Sequence, residues 1–111
     1  MRLIESEIQA MIASIEAIFK KKNMPLSSVS LFLFGSRVQD DLKGGDIDLL
    51  LRVPKEILGS VKKLKLDFLI EMKERLGQQK IDLLMIDLNP PQDPFHHIAI
   101  GQAVLLKSWF K

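Results

Sequence analysis

Three short apolar runs constrain this chain most: "VSLFLF" (29–34), "IDLLLRV" (47–53) and "KIDLLMID" (80–87). Each is near-continuous in Leu, Ile, Val, Phe and Met, the pattern of a strand buried in a sheet that is covered by helices. None approaches the ~20 apolar residues of a membrane span. Breakers bound them. "NMPLSS" (23–28) precedes the first, Pro54 ends the second, and "NPPQDP" (89–94) follows the third.

The intervening segments read as helices. Ile4, Ile8, Met11, Ile12, Ile15, Ile18 and Phe19 recur at three- and four-residue spacing, which predicts an amphipathic helix over 4–22. Lys20, Lys21 and Lys22 stand where cations favour a helix C-terminus, and they read as a solvated helix end. Ile57, Val61, Leu64, Phe68, Leu69, Met72 and Leu76 predict one helix over 57–76, with Gly77 as its C-cap. "PFHHIAIGQA" (94–103) predicts a short helix with Asp93 as cap and Pro94 at its first position, and "VLL" (104–106) a last strand. The expected order is α-β-β-α-β-α-β. This is an α/β (α+β) class, with a mixed sheet of about four strands flanked by helices. The segment joining the first two strands is too short for a helical crossover, so those strands are expected to be antiparallel, with room for a helical turn after Ser36.

Size and charge narrow the functions. A chain of 111 residues is expected to be one domain, 1–111. Its net charge is +2, with bases and acids interleaved, so nucleic acid is an unlikely partner. It has no cysteine, which excludes thiolate catalysis and zinc-thiolate sites. Glu5, Glu7 and Glu16 interrupt the N-terminal apolar pattern, so no secretion signal is expected, and a cytoplasmic place away from membranes fits.

The chemistry-bearing residues cluster around the second strand. Residues i and i+2 of a strand share a face, so Asp46 and Asp48 present two carboxylates roughly 7 Å apart. Like charges so placed call for a cation, and Mg²⁺ prefers carboxylate oxygens while keeping waters and substrate phosphates. A pair of such ions about 3.5–4 Å apart serves an in-line phosphoryl displacement. Asp82 opens "IDLLMI" as Asp48 opens its own apolar run, and it comes beside Asp48 if the strands are parallel neighbours. Gly35 permits close backbone approach, Ser36 offers a hydroxyl at the start of a turn, and Arg37 adds charge-assisted contacts, so these three are candidates for holding phosphates. His96 and His97 are adjacent on the expected helix and point about 100° apart, which does not make a metal pair. Trp109 and Phe110 are either sheet packing or a partner contact.

At these residues the chain resembles the nucleotidyltransferase superfamily of the DNA polymerase β type. The motif is "FGS" (34–36), nine residues, "DIDL" (46–49) and later "IDLL" (81–84). Its short length resembles the minimal nucleotidyltransferases (MNT). Asp40 and Gly45 stand where many minimal members carry Gly and Ser. The resemblance implies metal-dependent transfer of a nucleoside monophosphate from an NTP, usually ATP, with Mg²⁺ (two ions, or Mn²⁺) as cofactor. It implies Asp46, Asp48 and Asp82 as catalytic carboxylates and metal ligands, Asp82 also as base, and Gly35 and Ser36 as phosphate-binding residues. It further implies an antitoxin of a type VII-like toxin–antitoxin module, adenylylating a tyrosine of a HEPN-domain toxin partner in a hetero-oligomer. The chain itself has no tyrosine. Two rival functions remain: neutralisation of a HEPN partner by binding alone, and transfer to a small molecule or RNA.

Overall fold

The first helix ends where its side chains require. Helix α1 (Glu5–Lys21) buries Met11, Ile12, Ile15, Ile18 and Phe19, with Glu5 and Glu7 in its first turn and Lys20 and Lys21 in its last, both favourable to the helix dipole. Ser14 is buried on this helix, and its hydroxyl donates to the Ala10 carbonyl at 2.8 Å. Asn23 takes a left-handed φ of 56°, so the Met24 N–H closes on the Phe19 carbonyl at 2.9 Å and the chain turns away. The computed structural model describes residues 5–34, 47–77, 80–89 and 103–110.

Four strands follow, β1 (Ser30–Phe34), β2 (Ile47–Val53), β3 (Ile81–Asp87) and β4 (Val104–Ser108), in the sheet order β3-β2-β1-β4. β1 is antiparallel to both β2 and β4, whereas β2 and β3 are parallel. The sheet is therefore mixed, as expected. β4 runs past the expected 104–106 and pairs through a register shift between Leu31 and Phe32. The expected helix over 94–103, with His96 and His97, and the turn after Ser36 lie outside the described residues.

One expectation is corrected. The apolar period over 57–76 is carried by two helices, α2 (Lys55–Lys63) and α3 (Lys65–Leu76), broken at Leu64 with φ −96° and ψ 7°. The Leu64 N–H bonds the Val61 carbonyl at 3.0 Å, a tightened three-residue turn. The break lets α2 pack on β3 while α3 packs on α1. Val61, Leu64 and Phe68 keep helical spacing across it, so the sequence pattern passes through uninterrupted.

The sheet's two faces differ. Leu31 and Leu33, Ile47, Leu49, Leu51 and Val53, and Ile81, Leu83 and Met85 pack with the three helices in one core around Phe19, Phe68 and Met72. Phe19 and Phe68 meet with ring centroids 5.9 Å apart. The alternate residues, Phe34, Asp48 and Asp82 among them, take the opposite face. Trp109 is tied down: its backbone N–H bonds the Val29 carbonyl at 2.8 Å and its indole N–H donates to the Glu16 carboxylate at 2.9 Å. Of the two readings of this aromatic pair, Trp109 takes the packing role, and Phe110 is half exposed. Among the described residues no helix is long and apolar enough to cross a membrane.

Phe68→Ala removes a fully buried ring from the α1–α3 contact. It should cost about 3–5 kcal/mol, read as a lower urea midpoint of Trp109 fluorescence, the chain's one tryptophan.

Candidate active site

The parallel register sets Asp48 directly opposite Asp82, and the antiparallel register sets Phe34 opposite Asp48. Neighbouring strands lie about 4.8 Å apart, so Phe34, Asp48 and Asp82 form a row across three strands at one end of the sheet. A backbone bond from the Ile47 N–H to the Lys80 carbonyl, 2.9 Å, holds the two strand starts level. Behind the row Ile47, Leu49, Ile81 and Leu83 are buried in the core. The carboxylates are thereby directed away from the core: Asp48 is half-buried and Asp82 exposed.

Both line a cavity of about 270 Å³, together with Phe34, Lys65, Leu83 and Leu84. Lys65, the first residue of α3, was not expected here. Its only sequence signal is the basic cluster "KKLK" (62–65), which looks like any solvated helix face. Arg52, on the same sheet face but further along β2, is committed elsewhere. Its guanidinium donates to the carbonyls of Asp87 (3.2 Å) and Asn89 (3.0 Å), closing the far end of β3.

Of the expected site residues, the structure brings Asp48 and Asp82 together. Gly35, Ser36, Arg37 and Asp46 lie outside the described residues. In sequence Gly35 follows Phe34 and Asp46 precedes Ile47, so each adjoins a described strand end. Two carboxylates side by side, opening on one cavity, are the donor set a hard divalent cation prefers. Among the described residues no third metal-ligating side chain joins them.

A mixed sheet with helices on one face and a carboxylate row at one end suits phosphoryl-transfer chemistry of the metal-dependent kind. Residues 12–106 match the family described as "Nucleotidyltransferase domain", and the chain belongs to that family. Among solved structures, a candidate nucleotidyltransferase from Sulfolobus solfataricus is similar at 20% identity and a TM-score of 0.43, covering 91% of this chain and 82% of its own. No curated protein matches the chain.

The pairing of Asp48 with Asp82 on one cavity predicts a metal-dependent stability. Mn²⁺ at about ten times its dissociation constant should raise the stability of the native chain by about 1.4 kcal/mol, a thermal shift of several degrees. Asp82→Asn should lose most of that shift. In EDTA it should melt no lower than the native chain, because a like charge facing Asp48 is gone. Differential scanning calorimetry with and without Mn²⁺ checks both.

Proposed function

We propose that this chain transfers AMP from ATP to a hydroxyl of a protein acceptor. In this reading it is a minimal nucleotidyltransferase acting as antitoxin, and the acceptor is a tyrosine of a HEPN-domain toxin. The observation that carries the reading is Asp48 facing Asp82 on parallel strands, at the sheet end where β1 leads into Gly35-Ser36. The absence of tyrosine in the chain means that a phenolic acceptor comes from a partner.

Asp46, Asp48 and Asp82 would hold Mg²⁺ or Mn²⁺. The bound metal would neutralise charge on the phosphate oxygens. Gly35, Ser36 and Arg37 bind the triphosphate next to β1. Asp82 is the carboxylate at the other end of the row, exposed on a strand that is the sheet edge among the described residues, and in this reading it accepts the acceptor hydroxyl's proton. A bond forms between that oxygen and the α-phosphorus. The bond to the bridging oxygen breaks, and pyrophosphate leaves toward Gly35-Ser36. In this reading the leaving group lies on the β1 side of the row and the acceptor on the β3 side.

Transfer of label from α-³²P-ATP, with Mg²⁺, to a co-expressed partner or a host lysate tests this. The Asp46→Asn/Asp48→Asn variant should lose at least about 10³-fold of the transfer, as expected when charge stabilisation at the reacting phosphate is removed. Unlabelled protein with full neutralisation of a partner by both forms would instead establish an antitoxin that acts by binding. Label on RNA or on a small molecule would replace the acceptor.

A further inference from the structure

We propose that the acceptor approaches along the outer edge of β3, as an extended acidic peptide segment whose carboxylates pair with Lys62 and Lys65. This inference rests on the transfer reading above and names what that site selects.

The carboxylate cavity does not stop at Asp82. A second cavity of about 330 Å³ is lined by Lys62, Lys65, Leu83, Leu84 and Met85. It shares Lys65, Leu83 and Leu84 with the first. Together they make a groove that starts at the carboxylate row and runs along β3. Its place is the one that in-line displacement requires. The sheet order sets β1 on one side of Asp48 and β3 on the other. A nucleophile must reach the α-phosphorus opposite the leaving pyrophosphate, hence from the β3 side.

The lining selects a peptide. Leu83, Leu84 and Met85 are consecutive, so the groove meets side chains of both faces and the strand edge between them. Among the described residues β3 has a partner on one side only, β2. An edge strand offers unpaired N–H and C=O groups to an added strand, and side chains on the rim then set the sequence preference. On the rim stand Lys62 at the end of α2 and Lys65 at the start of α3, both exposed. Among the described residues neither forms an ion pair. Two cations over an open strand edge complement acidic side chains on the incoming segment. RNA is less suited: single-stranded RNA is held by stacking on aromatic or arginine planes, and the β3 segment of the groove has neither.

Short fluorescent peptides with one central tyrosine, flanked by glutamates, glutamines or lysines, test this by anisotropy and by label transfer. The glutamate-flanked peptide should bind at least about tenfold tighter than the glutamine-flanked one. The Lys62→Glu/Lys65→Glu variant should reverse the order and favour the lysine-flanked peptide, a gain that only folded protein gives. Where transfer is seen, Lys62→Glu, outside the carboxylate cavity, should raise the KM for the glutamate-flanked peptide severalfold and the KM for ATP less than twofold. Equal binding of the three peptides, or a preference that survives charge reversal, overturns the proposal. So does an effect confined to ATP, or displacement of the glutamate-flanked peptide by an RNA oligonucleotide. Charge-dependent binding with no label transferred to any peptide overturns the transfer reading and leaves the groove's peptide preference standing.

Discussion

The parallel pairing of β2 with β3 is the constraint on which both the core and the site depend. In one register Ile47, Leu49 and Leu51 come level with Ile81, Leu83 and Met85, and all six are buried against the helices. That same register brings Asp48 level with Asp82 on the opposite face. A slip of either strand by one residue would turn its apolar set outward and drive its aspartate into the core. An unpaired carboxylate there costs several kcal/mol, or more if it stays ionised. Packing therefore enforces the juxtaposition of the two carboxylates.

The two faces of the sheet divide the work. The helix-covered face carries the apolar residues that hold the fold, and its side chains are almost all inaccessible. The other face grades from apolar to polar along the strands. Leu50 and Ile86 are buried deeper in it, while Asp48 and Asp82 stand at its open end. Arg52 shares the strand face of the carboxylates but stands further along β2. Its bonds to Asp87 and Asn89 carbonyls show it working as a clamp on the chain leaving β3.

Much of this is legible in the sequence because strand physics is local and has period two. "DIDLLL" and "KIDLLMI" share one form, an acid leading into an apolar run, and that form sets Asp82 beside Asp48 once the two strands are parallel neighbours, as they are. The short link between 34 and 47 calls for the antiparallel pair. What escapes the sequence is set by tertiary packing. The kink at Leu64 leaves no mark, because Val61 and Phe68 stay in helical phase on either side of it. Lys65 reads as one more solvated lysine until the kink swings the start of α3 over the carboxylate cavity. Glu16 gives no hint that it receives the Trp109 indole, 93 positions away in sequence.

That kink also bears on what stands beside Asp82. Were 55–76 one straight helix, its middle would continue in line, and Lys62 and Lys65 would be about one turn apart on a single cylinder. Breaking it at Leu64 sends α2 against β3 and α3 against α1, and both lysines end up on the wall of the β3 groove. Asp82 on a central strand would be flanked by other strands on both sides and reachable only from above the sheet. Among the described residues β3 is the edge, so Asp82 is reachable from the side as well, along a strand with hydrogen-bonding groups to spare. In the proposed reading, the edge beside the carboxylates receives the acceptor on elements that the core already requires.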